Sequence, residues 1–316
     1  MRSLCVCGVL TLLVCFGRGD ASAQDNAAEE APRRPMVIAQ SPPDAAKVLF
    51  GRERTPAAGP PQAIGSYERG CLSGAIALPA DGPNWQVMRP SRNRAWGHPT
   101  LIAFLERLAQ KLRGEAGWPG LLVGDIAQPR GGPMLTGHGS HQTGLDVDLW
   151  LTPMPNRRLT PAERDSISAI DVVAADGMDI DPTAWTPQYR RLLEAVAQEP
   201  LVERVFVNPA IKRALCRQGG PERAWMAKIR PWWGHNDHFH VRLSCPSSDS
   251  QCRGQTPPPP SDGCGKELDW WFTEEARHPP PSPPQKPLRL GDLPPACAAV
   301  VAAPAGQAQQ LRGAAQ

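Results

Sequence analysis

Seven histidines occur in the 316-residue chain, and five of them fall in two short clusters. The first reads Gly-His138-Gly-Ser-His141-Gln-Thr-Gly-Leu-Asp146-Val-Asp148-Leu-Trp. The second reads Trp232-Trp233-Gly-His235-Asn-Asp-His238-Phe-His240-Val-Arg-Leu. Histidines kept for packing or solvent contact are scattered, as His98 and His278 are. Taken singly, each clustered histidine is explained as well by an ordinary structural role. The five together are not. Imidazoles mixed with carboxylates are donors for a divalent metal. A catalytic zinc site takes three protein ligands and leaves one position for water. His141, Asp148 and His240 supply two imidazoles and one carboxylate, and His238 and His235 remain for acid–base work.

Both clusters run into alternating sequence. Residues 147–151 and 239–243 read as strands, with apolar residues at every second position. Side chains alternate along a strand, so Asp146 and Asp148 share one face and His238 and His240 share another. Val147, Leu149, Phe239 and Val241 turn the opposite way. If the two strands are neighbours, their polar faces make one concave site.

Other elements must carry these strands. Leu101, Phe104, Leu105, Leu108 and Leu112 repeat at helical spacing behind the start signal Pro99-Thr100. Residues 162–175 and 188–197 fit helices, 121–123 and 205–207 short strands, and Pro209 opens a further helix. The pattern is α+β without regular βαβ alternation. After Pro246 the chain becomes Pro-rich, at 257–260, 279–281, 283–284 and 294–295. Such sequence supports neither a helix nor a central strand. Trp270, Trp271 and Phe272 lie within it, so it reads as an extended arm pinned to the domain, with 298–316 loose.

The first 23 residues read as a secretory signal: Arg2, a short apolar run, then Ala21-Ser22-Ala23 as a cleavage site. Residues 24–61 are a linker or lead-in, 62–250 the catalytic domain and 251–297 the arm. No other stretch is long and apolar enough to span a bilayer. The net charge is a mild +3 and no basic block occurs, so nucleic acid is not an expected partner. Of nine cysteines, Cys5, Cys7 and Cys15 go with the signal. Six remain, and an even number in an exported chain suggests three disulfides. Spacing alone selects only Cys245 with Cys252, a short local loop.

Ser140-His141-x6-Asp148 paired with His238-x-His240 resembles the LAS family of zinc metallopeptidases. The longer stretches Gly139 to Asp148 and Arg230-Pro-Trp-Trp-Gly-His235-x2-His238-x-His240-Val-Arg-Leu-x-Cys245 are similar to its penicillin-insensitive murein endopeptidases. So are Ile64-Gly-Ser-Tyr-x3-Cys71, Phe206-Val-Asn-Pro-Ala-Ile-Lys212 and Asp262-Gly-Cys-Gly265. The resemblance covers residues 62 to 297. It implies a single LAS-type domain whose small antiparallel sheet carries zinc on His141, Asp148 and His240. It implies His238 as general base, with His235 lining the site. It also implies a second metal near His138, Asp176 and Asp179, although Asp179 stands where the family pattern has histidine. The remaining disulfides it implies are Cys71–Cys297 and Cys216–Cys264, and the substrate is the cross-linked peptide of peptidoglycan.

The expected reaction is hydrolysis by metal-activated water, with His235, if protonated, steadying the oxyanion. No Ser-x-x-Lys, Lys-Thr-Gly or Gly-x-Ser-x-Gly occurs, so a serine acyl-enzyme is not expected. A D,D-carboxypeptidase or D-Ala-D-Ala dipeptidase would use the same ligands. A non-catalytic wall-binding protein would keep them as structure.

Overall fold

The computed structural model describes residues 41–281 and 286–306. The expected signal at 1–23 lies outside the described residues, with the rest of the lead-in up to 40 and the tail from 307. In chain order the elements begin with α1 (Ala46–Arg52), β1 (Gln62–Ser66), β2 (Arg69–Ser73), β3 (Ile76–Ala77), β4 (Asp81–Gly82), β5 (Trp85–Val87) and β6 (Trp96–Gly97). Next come α2 (Pro99–Lys111), β7 (Leu121–Val123), β8 (Asp146–Trp150), α3 (Pro161–Ser166), α4 (Pro187–Ala197), β9 (Val202–Val207) and α5 (Pro209–Gln218). The last are β10 (Ile229–Pro231), β11 (His238–Leu243), α6 (Lys266–Asp269), α7 (Glu274–Arg277) and α8 (Ala296–Ala302).

The central sheet is larger than the small antiparallel sheet expected. It has seven strands in the order β10-β9-β11-β8-β7-β5-β4. Its middle, β9 to β7, is antiparallel, while β10 runs parallel to β9 and β5 parallel to β7. Parallel neighbours need a crossover. α2 provides it between β5 and β7, and α5 between β9 and β10. The edge strands have only two or three residues, too few to show alternation in sequence.

One core binds sheet to helices. Val147 and Leu149 of β8 and Phe239 and Val241 of β11 pack with Leu105 of α2, Leu193 of α4 and Ile211 of α5. Pro99 starts α2 where its missing N–H costs nothing, and His98 Nδ1 accepts from Thr100 N at 3.2 Å. Asn208 caps α5 in the same way through Ala210 N at 2.8 Å. Burying this apolar face leaves the opposite face of β8 and β11 free for polar side chains.

Three expectations need correcting. The helix expected over 162–175 is only α3, closed by a capping box between Thr160 and Glu163. Beyond it Asp171 Oδ1 accepts from Val173 N at 2.9 Å, and Val173 bridges Ile180 in extended backbone. Local Asx bonding and β-branched residues compete successfully with helix there. The lead-in is ordered from residue 41, with Phe50 of α1 fully buried. The tail is not loose at 298, because α8 continues to Ala302 and packs Val300 against Phe50, Ile64 and Leu293.

Among the described residues three disulfides are present: Cys71–Cys297, Cys216–Cys264 and Cys245–Cys252. The first two tie the C-terminal arm to the domain, and two buried cations assist. Lys212 Nζ donates to Asp262 O at 2.5 Å and to Met226 O at 2.8 Å, and burial pushes its amine down to about 7. Arg130 Nη1 donates to the carbonyls of Val300, Val301 and Ala303 at 2.7–2.9 Å, and Nη2 pairs with Glu53 at 3.1 Å. Arg130 therefore satisfies the orphan carbonyls at the end of α8 and joins them to the lead-in.

Arg130→Ala should release α8 beyond its disulfide and destabilise the protein by about 3 kcal/mol, the usual scale for breaking a buried charged network. Urea unfolding and limited proteolysis check this. An unchanged midpoint and an unchanged cleavage rate near 300 would show that Arg130 does not hold this end.

Candidate metal centre

β8 and β11 are antiparallel neighbours, with His240 opposite Asp148, Arg242 opposite Asp146 and His238 opposite Trp150. The two sequence clusters therefore meet on one sheet face. His141 joins them from the loop before β8. Its backbone is left-handed at φ 66°, a conformation that costs a β-carbon residue of order 1–3 kcal/mol. Two bonds impose it: His141 N donates to Asp146 Oδ2 at 3.0 Å, and His141 Nδ1 contacts Ile126 O at 2.7 Å. Gly144 makes the turn into the strand at φ 70°, where a β-carbon would lie 2.4 Å from Leu72 Cδ2. Gln142 pins the loop to the β1–β2 hairpin, donating to Glu68 O and accepting from Gly70 N.

The partners of these side chains fix which atoms stay free. His141 Nδ1 faces a carbonyl and donates to it, which leaves Nε2 toward the cluster. Burial lowers the ring's pKa, but Asp148 and Asp146 together outweigh it and raise it. Without a metal, Nε2 therefore shares a proton with Asp148 that a metal would replace. His240 Nε2 faces Asp146 Oδ1 at 2.9 Å, so Nδ1 keeps its lone pair. Asp148 Oδ1 is buried and has no other hydrogen-bond partner. These three atoms face one another: His141 Nε2 to His240 Nδ1 is 3.2 Å, and Asp148 Oδ1 lies 3.3 Å from the former and 3.5 Å from the latter. Ligands about 2.1 Å from one tetrahedral zinc would sit about 3.4 Å apart. Two imidazole nitrogens and a carboxylate oxygen at this spacing form a donor set that fits a metal.

A second trio shares two of these residues. His138, His141 and Asp148 each offer a donor atom within 4.8 Å of the other two. His138 is the looser member. Its Nε2 is 3.5 Å from Asp148 Oδ2 but 3.0 Å from Asp125 Oδ2. Asp125 also takes Arg94 Nη1 at 2.8 Å and Arg92 Nη1 at 3.2 Å. Burial pushes the Asp125 carboxyl up, but His138 and Arg94 outweigh it and hold it at about 2.

Behind the centre lies an ion pair absent from the sequence argument. Arg242 Nε donates to Asp146 Oδ1 at 2.7 Å and Nη2 to Oδ2 at 3.3 Å, both residues buried. Arg242 also lies over the Tyr67 ring at 4.0 Å. Burial raises the Asp146 carboxyl, yet Arg242 and His240 overwhelm it and keep it ionised. Asp148 behaves alike, with His141 as its main opponent of burial. Burial pushes His240 down to about 4, so it is neutral and able to ligate.

The other two histidines flank the centre differently. His238 Nδ1 is 2.6 Å from Asp237 Oδ1, which fixes the ring and leaves Nε2 toward the cleft. Burial lowers its pKa, and the Asp237 bond together with the charges of Asp148 and Asp237 more than reverses that. His235 Nδ1 donates to Trp233 O at 2.9 Å. Burial, then the neighbouring His238 charge, push it down to about 4. The oxyanion role of His235 required a protonated ring; burial and His238 favour the neutral ring, whose Nε2 is then an acceptor. Asn208 holds its loop through Gly234 O at 3.0 Å and Asn236 Oδ1 at 2.7 Å.

Asp176 and Asp179 are not brought to this cluster. Asp179 pairs with Arg217 at 2.6 Å, and Asp176 Oδ1 accepts from Met178 N at 2.9 Å. The second metal set expected from His138, Asp176 and Asp179 is not assembled. Sequence reasoning missed Asp125, Asp237 and the Asp146–Arg242 pair. Alternation places Asp146 and Arg242 on the site face, so that pair carried a signal. Asp125 comes from a loop and carried none.

The chain is similar to known proteins over most of its length. The profile of a family described as penicillin-insensitive murein endopeptidase matches residues 63–302. The chain is 46% identical over 247 residues to the protein of that name from Yersinia enterocolitica, covering 78% of this chain and 87% of that one. It is 44% identical over 246 residues to the Klebsiella pneumoniae protein, covering 78% and 88%. With the Haemophilus influenzae protein it shares 50% identity over 209 residues, covering 66% and 72%.

Asp146→Asn should weaken metal binding by about 10- to 100-fold, because the amide no longer fixes the His240 tautomer and leaves Arg242 unpaired. Competition with a chromophoric chelator on the folded variant measures this. Unchanged affinity would show that Asp146 does not orient His240.

Proposed function

The chain belongs to the penicillin-insensitive murein endopeptidase family, and we propose that it is a zinc-dependent hydrolase of D-alanyl-meso-diaminopimelyl cross-links in peptidoglycan. Its chemistry is endopeptidase cleavage of murein. The observation that carries the zinc reading is the convergence of His141 Nε2, Asp148 Oδ1 and His240 Nδ1, three donors at tetrahedral spacing. The cross-link rests on the resemblance of the sequence and on the names of its relatives.

The reaction is amide hydrolysis. Water oxygen joins the carbonyl carbon, the carbon–nitrogen bond breaks, and a carboxylate and an amine leave. A zinc ion on these three residues supplies Lewis acidity, acidifying water and polarising the scissile carbonyl. His238, in its neutral form, takes a proton from water and hands it to the departing nitrogen. Asp237 holds the His238 ring for both steps, as an acid orients a catalytic imidazole. His235, neutral, accepts a hydrogen bond from the water and aims it at the carbonyl. The clefts on either side of the centre differ. Trp232, Trp233 and Phe206 wall one, and Arg89 and Arg92 line the other.

The three disulfides support an oxidising compartment. We place the protein in the periplasm, after removal of residues 1–23. Among the described residues no helix is long and apolar enough to cross a membrane.

His141→Ala, Asp148→Ala and His240→Ala should each lose most bound zinc and nearly all activity on purified cross-linked muropeptides. His238→Ala should keep its zinc and lose about 10²-fold or more in rate. Elemental analysis with single-turnover digestion separates these outcomes. A triad variant with full zinc and full turnover would defeat the ligand assignment, and zinc loss in His238→Ala would make that residue a ligand.

EDTA should inhibit cleavage and penicillin should not, since no serine nucleophile motif is present. Stoichiometric labelling by a fluorescent penicillin would contradict this. Release of D-alanine from monomers with no cleavage of dimers would make the enzyme a carboxypeptidase instead.

A further inference from the structure

Arg92 stands at the mouth of the cleft that also holds His238. It ends a short turn, Pro90–Arg92, and its side chain is 48% exposed. Arg89, the other arginine lining this cleft, is committed elsewhere: its guanidinium donates to the backbone carbonyls of Arg164, Asp165 and Ile167. Arg94, just beyond, has spent its donors on Asp125 and Thr136. Arg92 gives a single bond, Nη1 to Asp125 Oδ2 at 3.2 Å, and among the described residues its Nε and Nη2 donate to nothing. Asp125 is already answered by Arg94 at 2.8 Å and His138 at 3.0 Å. Arg92, paired at 3.2 Å with an Asp125 that Arg94 and His138 already contact, therefore brings two further N–H groups to a cleft whose lining includes the carboxylates of Asp125, Asp148 and Asp237.

The chemistry of the cross-link says what such a charge is for. This inference rests on the reading of the substrate above. In a D-alanyl-meso-diaminopimelyl bond, the scissile nitrogen sits on a carbon that also bears a free carboxylate. That carboxyl carbon is two bonds from the nitrogen, about 2.5 Å away. His238 lines the Arg92 side of the centre and not the tryptophan side. If His238 protonates the leaving nitrogen, the residue carrying that nitrogen occupies the same cleft, with its carboxylate beside the scissile bond. A carboxylate entering beside Asp148 and Asp237 needs a cation, and a guanidinium with adjacent free donors matches it.

We propose that Arg92 binds the free carboxylate next to the scissile amide. It thereby selects a cross-link whose leaving amine belongs to an α-amino acid with an ionised carboxyl group.

The test uses two synthetic cross-linked dimers, one with that carboxylate free and one with it converted to the primary amide. Both are assayed with the zinc-loaded wild type and with Arg92→Gln and Arg92→Lys. For the wild type, amidation should lower kcat/KM about 10- to 100-fold, mainly through KM, the scale of one charge-assisted contact. Arg92→Gln should lose a similar factor on the acid and show little further loss on the amide. Arg92→Lys should recover part of the preference. Equal wild-type turnover of acid and amide would overturn the proposal, as would an undiminished preference in Arg92→Gln. A merely structural role, through Asp125 and His138, would slow both substrates alike and leave the ratio intact, which also overturns it. Failure of the wild type to cleave either dimer would instead sink the reading of the substrate, and the proposal with it.

Discussion

Three lone pairs cannot face one another in a buried site without a positive charge between them. His141 Nε2, His240 Nδ1 and Asp148 Oδ1 do so at 3.2–3.5 Å. Much of the surrounding structure exists to keep that arrangement from relaxing. Ile126 O claims the far side of His141, and Asp146 claims the far side of His240. With those outer bonds fixed, His141 Nε2, His240 Nδ1 and Asp148 Oδ1 all face inward. Positive charge, whether the proton that Asp148 favours on His141 or a metal ion, is what holds them together.

The fold supplies the rigidity this requires. The site sits on the two central strands of a seven-stranded sheet, not on its edges. On the other face of those strands Val147, Leu149, Phe239 and Val241 are fully buried against helices. Arg242 anchors Asp146, and Tyr67 and Phe206 pack on Arg242. The left-handed backbone of His141 is tolerated because bonds from both its amide and its ring over-determine it. The proton-handling groups sit at the start of β11 and on the loop before it, held by Asp237 and Asn208.

Much of the centre was legible in the sequence because strand alternation is a local property. Asp146, Asp148, His238 and His240 could be assigned to faces from spacing alone, and α2 from its apolar period. What was not legible depended on distant chain. Asp125 reaches the site from a loop after a three-residue strand, and nothing near it marks it. The parallel edge strands are too short to show a pattern. The order of α8 comes from Cys71 and Arg130, both more than 150 residues earlier. Asp237 was adjacent to His238 in sequence, but neighbours within a strand point apart. It can bond His238 only because it precedes the strand, and sequence does not reveal that boundary to one residue.

The central claim is that the metal lies where those three lone pairs meet. The most direct measurement is an anomalous difference map from crystals of the zinc-loaded protein, collected on both sides of the zinc edge. The account predicts one strong peak about 2.0–2.1 Å from each of His141 Nε2, Asp148 Oδ1 and His240 Nδ1. A peak seated between His138 and Asp125, with His240 Nδ1 left unliganded, would contradict it.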